Sequence, residues 1–172
     1  MDTDTYLRES ARTASTLFRT DVVSVATLKQ TLEDAITLGQ RVDQVKKGLF
    51  YGKPVKDPTL TGGAVGEPSG TVPPDLLHAA LGIYTEAVEL MQALLAGLDG
   101  APLDRANLLE ELGDIEWFMA LAYRTLEARP EAVRQVNIDK LRKRFPDRFT
   151  EAQAIDKDIA AERDLLDRAI SG

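Results

Sequence analysis

Residues 76–95 read LLHAALGIYTEAVELMQALL and residues 104–117 read DRANLLEELGDIEW. The first stretch is dense in Leu, Ala, Val and Met and has few residues suited to solvent. That pattern predicts a helix apolar nearly all round, and therefore central. Pro73-Pro74-Asp75 supplies its start signals. Gly97 to Pro102 is a cluster of turn residues, and Asp104 is placed to cap a second helix running to about Glu127. So short a connection predicts antiparallel neighbours.

Each helix carries a pair of acids three residues apart, Glu86 with Glu89 and Glu111 with Asp114. That spacing puts both carboxylates of a pair on one helix face. Across the turn the two pairs are in register, each about 19 Å from it at 1.5 Å per residue. One such pair alone is common on a solvated helix face. Two pairs in register inside otherwise apolar helices bring four carboxylates to one level, where they repel unless a divalent cation offsets them. Carboxylate ligands suit Mg²⁺ or Mn²⁺. A di-iron bundle would need Glu-x-x-His on two helices, and the single histidine, His78, has no Glu three positions before it.

Outward from this core the chain reads as helical. Apolar residues at Leu28, Leu32, Ala35, Ile36, Val42, Val45 and Leu49 predict a helix, with Lys29, Glu33, Asp34, Gln40 and Lys46 between them and Gly48 as its stop. A helix over about Thr5–Phe18 is expected before it. Residues 52–74, rich in Gly and Pro, predict a long loop with room for one or two short strands. Pro130 opens a helix that must end near Phe145, because Pro146 follows. Thr150-Glu151-Ala152-Gln153 reads as a capping box for a last helix to about Arg168. The expected architecture is a single all-α domain over residues 1–172, a helical bundle built around the antiparallel pair, with its motif-bearing core at about 75–153.

The composition narrows the chemistry. The 172 residues hold 21 Lys+Arg, 28 Asp+Glu, one His and no Cys, for a net charge of −7. Disulfides, iron–sulfur clusters, thiolate zinc sites and Cys nucleophiles are excluded. A net acidic chain is a poor general binder of nucleic acid. The charge is also uneven: Glu86–Glu116 contains eight acids and one base, whereas Arg134–Arg148 contains six bases and two acids. In the basic stretch Asn137, Lys140 and Arg144 share one helical stripe beside an apolar one, and such a set suits phosphate oxygens. The competing reading is a basic face that balances the acidic helices through surface ion pairs. The acidic N-terminal residues carry no targeting pattern, and no apolar run approaches the length of a membrane span. The expectation is a cytoplasmic protein with no membrane partner.

These residues resemble the MazG-like all-α NTP pyrophosphohydrolases. The likeness lies in Leu76–Leu90, in Glu110–Trp117 and in Asn137–Pro146, which reads N-x-x-K-L-x-x-R-F-P. Tyr6, Ala11-Arg12-Thr13 and Lys47–Lys53 are similar to phage and bacterial single-domain members. The resemblance implies an enzyme that uses Mg²⁺ to cleave a nucleoside or deoxynucleoside triphosphate between the α and β phosphates. It implies Glu86, Glu89, Glu111 and Asp114 as catalytic metal ligands, and Asn137, Lys140 and Arg144 on the substrate phosphates. It also implies homodimers or homotetramers and a role in nucleotide pool control or house-cleaning. Glu110 and Glu116 are candidates for a general base. Phe118 stands where some relatives carry an aromatic hydroxyl, and the loop over 62–74 is longer than in many. Of the aromatics, Trp117, Tyr84, Phe50 and Tyr51 could stack on a base, although aromatics in apolar helices are more often core. Two alternatives are a nucleotide-binding regulatory module of the same fold without turnover, and a structural helical oligomer.

Overall fold

The computed structural model describes residues 1–61, 71–155 and 158–171. Among these residues the regular secondary structure is all helical. The chain divides into two compact units, one of residues 19–126 and one of residues 1–18 with 127–172.

The first unit contains α2 (Val25–Tyr51), a 3-10 turn (Pro58–Leu60), α3 (Pro74–Leu98) and α4 (Arg105–Thr125), numbering from α1 at Thr3–Thr13. Ser24 caps α2 by accepting from the Thr27 N–H at 3.0 Å. Helix α2 does not stop at Gly48 as its sequence suggests. It runs to Tyr51 and ends on Gly52 in the left-handed conformation at φ 64°, which favours glycine. Gly48 instead lies against Val55, where a Cβ would stand 3.0 Å from its Cγ2. Pro74 occupies the first turn of α3 with Asp75 beside it. Asp104 caps α4, its Oδ1 accepting from Ala106 N at 2.9 Å and Asn107 N at 3.2 Å.

Helix α3 packs against both α2 and α4, as its apolar composition suggests. Its buried residues include Ala79 and Val88, with Phe118 and Leu121 of α4 buried as well. Its centrality is not complete, since Leu94 and Leu98 remain exposed. Glu86 and Glu89 interrupt the apolar run of α3. Even so, by length and composition alone α3 is apolar enough to cross a membrane, at a mean hydropathy of 1.2, a test that the core helix of a soluble protein also passes.

Two glycines set close approaches between helices. At Gly39 of α2 a Cβ would stand 2.6 Å from the Val88 methyls, and at Gly82 of α3 it would penetrate the Phe118 ring. Gly82→Ala gains about 1 kcal/mol of helix propensity and meets an overpacking cost of about 1–3 kcal/mol or more. A lower melting temperature is expected, with part of the loss recovered by adding Phe118→Leu. An alanine variant as stable as wild type would show that α3 and α4 can adjust their spacing at this contact.

The second unit contains α1, α5 (Pro130–Arg144), α6 (Glu151–Ile155) and α7 (Ile159–Ser171). Helix α1 ends at Thr13, short of the expected Phe18, because the backbone turns extended at Ala14. Its Arg12 donates to the carbonyls of Phe145 and Pro146, each at 3.0 Å, and of Asp147 at 2.6 Å. Helix α5 ends one residue before Phe145, as the following Pro146 requires. The Thr150 cap forms, with Thr150 Oγ1 accepting from Gln153 N at 3.3 Å. The helix it opens stops at Ile155 rather than continuing to Arg168. Asp158 starts α7 by accepting from Ala161 N at 2.9 Å. Of the expected 52–74 loop, residues 62–70 lie outside the described residues.

Candidate metal centre

Glu86 and Glu89 project from α3 and Glu111 from α4. One carboxylate oxygen from each comes within 4.8 Å of the other two. Glu86 and Glu111 are buried at 8% and 6% exposure, whereas Glu89 is exposed. Asp114 lines the same open cavity, of about 450 Å³, without joining the group of three. Glu110 also lines it.

Helix α2 contributes residues that sequence reasoning does not place here. Asp43, Lys46 and Lys47 line the cavity. Lys46 is buried, and its ammonium donates to Glu86 Oε1 at 3.0 Å and to Thr85 Oγ1 at 2.6 Å. Lys47 is partly exposed and donates to Asp43 Oδ2. The other oxygen, Asp43 Oδ1, is buried without a hydrogen-bond partner and lies 3.4 Å from the Lys46 ammonium. A signal is present in the spacing. Gly39, Asp43, Lys46 and Phe50 fall at i, i+4, i+7 and i+11, one helical stripe, and Gly39 and Lys46 are the buried residues of α2.

The electrostatics follow from this crowding. Burial, reinforced by Glu89, Glu86, Glu110 and Asp114, pushes the Glu111 carboxyl from its ordinary 4.5 up to about 7. Burial and then Glu86 raise Glu89 as well. The hydrogen bond to Asp43 raises Lys47. A buried carboxyl that holds its proton up to about 7 has unmet demand for positive charge beside it.

The donors fit a hard divalent cation. They are all carboxylate oxygens, they converge from two helices, and a further buried carboxylate oxygen at Asp43 has no hydrogen-bond partner. The three glutamates could hold such an ion. They lack the nitrogen and sulfur ligands that zinc prefers.

Part of the cavity lining is aromatic. Tyr51 and Trp117 line it and are about half exposed, and Phe118 lines it from the core. His78 does not line it but packs behind these rings. Its ring stacks on Phe50 at 4.0 Å between centroids, and its Nε2 pairs with the Tyr51 hydroxyl at 3.1 Å. Burial lowers its pKa. These contacts make His78 a structural residue.

Asn137, Lys140 and Arg144 are partly exposed on α5, in the other unit. The Arg144 guanidinium is committed to Glu162 through two hydrogen bonds, with Nε to Oε1 at 2.6 Å. That pairing raises the Arg144 pKa further. Arg142, on the same helix, pairs with Glu9 at 2.9 Å. No family model, curated protein or solved structure matches the chain.

Proposed function

We propose that this protein is a divalent-metal-dependent nucleoside triphosphate pyrophosphohydrolase. It would cleave NTP or dNTP between the α and β phosphates to a nucleoside monophosphate and pyrophosphate. The observation that carries the reading is the convergence of Glu86, Glu89 and Glu111 on one open cavity, joined to the resemblance of those motifs to the MazG-like enzymes. The reading takes α3 and α4 as an antiparallel pair. Gly82 packing on Phe118 and Gly97 packing on Leu103 support that arrangement.

Glu86, Glu89, Glu111 and Asp114 would hold Mg²⁺ or Mn²⁺. A bound ion of this kind supplies Lewis-acid polarisation of phosphoryl oxygens and a water of lowered pKa. Glu110 lines the cavity and Glu116 does not, which favours Glu110 as the general base. Lys47, the partly exposed cation of the cavity lining, would meet the polyphosphate. The resemblance also assigns Asn137, Lys140 and Arg144 to substrate phosphates, and Arg144 must exchange Glu162 for phosphate to take part.

The same reading makes the protein a cytoplasmic homodimer or homotetramer with no nucleic-acid or membrane partner, active in nucleotide pool control. Exposed Leu94 and Leu98 on α3 and Leu109, Leu112 and Met119 on α4 support association with further copies.

The test is incubation with each NTP and dNTP in Mg²⁺, with product analysis. Monophosphate and pyrophosphate are expected for at least one nucleotide. Diphosphate and orthophosphate would sink the α–β cleavage, and binding without product would favour a nucleotide-binding module without turnover.

A further inference from the structure

Lys46 is the most deeply buried ionisable side chain of the cavity, with the residue 3% exposed. Burying an ammonium is costly unless anionic and hydrogen-bonding partners surround it. Its surroundings meet that need from two helices. Glu86 Oε1 accepts from it at 3.0 Å, and Asp43 Oδ1 lies at 3.4 Å. The Thr85 hydroxyl donates to the Gly82 carbonyl at 3.0 Å, which leaves a lone pair to accept from Lys46 at 2.6 Å. The Phe118 ring, 5.2 Å from the ammonium to its centroid, adds a cation–π contact. The positive charge is therefore fixed on one of the three glutamates that converge.

We propose that Lys46 is the internal counter-ion of the metal centre. This rests on the reading of Glu86, Glu89 and Glu111 as metal ligands. In the metal-free protein the ammonium offsets the repulsion among these carboxylates. A divalent cation then binds against a like charge already in contact with Glu86, so Lys46 weakens the site's hold on the ion and keeps the ion exchangeable. Lys46 acts through Glu86 and is a positioning residue. Asp43, its other anionic neighbour, moderates the repulsion, and the partnership of Lys47 with Asp43 limits that moderation.

The test is Mn²⁺ titration of the full chain, followed by the EPR signal of free Mn²⁺, together with melting curves in chelator and in Mn²⁺. Lys46→Gln removes the charge and retains a donor for Glu86. It is expected to bind Mn²⁺ at least about tenfold more tightly than wild type. Lys46→Arg retains the charge and is expected to stay within about threefold. In chelator Lys46→Gln should melt below wild type, and Mn²⁺ should close the gap. A Lys46→Gln protein that folds only with Mn²⁺ supports the proposal equally. The proposal is overturned if Lys46→Gln binds Mn²⁺ no more tightly than wild type. It is also overturned if Lys46→Gln stays unfolded with Mn²⁺ while Lys46→Arg folds, since Lys46 would then be only a structural ion pair. Mn²⁺ binding to wild type with no gain in Lys46→Gln removes the counter-ion role alone. No Mn²⁺ binding to either protein removes the metal centre as well.

Discussion

Glu111→Ala is expected to abolish nucleotide hydrolysis, with a loss in kcat/KM of about 10³-fold or more. A metal ion contributes several kcal/mol of transition-state stabilisation, and each 1.4 kcal/mol is tenfold in rate. Glu111 is the only member of the converging group that comes from α4. Without it the remaining two ligands lie three residues apart on one helix and hold an ion from one side only. The same substitution is not expected to unfold the protein. Glu111 is buried among Glu86, Glu89, Glu110 and Asp114, and no cation pairs with it among the described residues. Removing it relieves repulsion at neutral pH, against a modest cavity cost. The expected pattern is therefore an inactive protein that melts at or above the wild-type temperature in chelator and gains little from Mn²⁺. Steady-state rates and paired melting curves read both halves. Activity within tenfold of wild type in a folded variant would remove Glu111 from the metal centre.

The convergence on which this expectation depends is legible in the amino-acid sequence because its determinants are local. An i, i+3 spacing fixes a helix face, and the short turn from Gly97 to Pro102 fixes the register of the helices it joins. Asp104 and Pro74 mark their helix starts by backbone chemistry that needs no tertiary contact. The contribution of α2 is not legible in the same way. A lysine within an amphipathic pattern normally reads as a solvent residue, and Lys46 reads so. Its burial depends on which stripe of α2 meets α3, which is decided by Gly39 against Val88 and by Glu86 waiting for a cation. Gly48 misleads for a related reason. Glycine within a helix can mark a stop or a close approach, and only the packing of Val55 shows which applies. The stripe of Asn137, Lys140 and Arg144 is legible as a helix face. Its use is not, because nothing in the spacing shows that Glu162 claims Arg144.

Metal-free protein is expected to become less stable as pH rises from about 5 to about 8, through the titration of Glu111. The folded Glu111 carboxyl keeps its proton up to about 7, whereas its ordinary value is 4.5. Between those values the folded state holds more protons than the unfolded state, so raising the pH favours unfolding. The contribution of Glu111 is fully present below 4.5 and is lost as the pH passes about 7. At 1.36 kcal/mol per pH unit it reaches at most about 3 kcal/mol, or about 2–4 °C of melting temperature per kcal/mol for a chain of this size. Glu89, also raised, acts in the same direction. His78 opposes it: its pKa is lowered by burial, so its contribution is present above the ordinary 6.5 and is lost on acidification. Comparison with Glu111→Gln isolates the carboxylate, because His78 is common to both proteins. Glu111→Gln should exceed wild type in stability most at about pH 8, with the advantage shrinking toward about pH 5. Adding Mg²⁺ or Mn²⁺ should reverse the order at about pH 8, because the ion binds the deprotonated carboxylate. That stabilisation of wild type should fade as the pH falls through about 7, where protons compete for the same oxygen. A difference between the two proteins that stays flat across this range in chelator would mean that the Glu111 carboxyl titrates at an ordinary value.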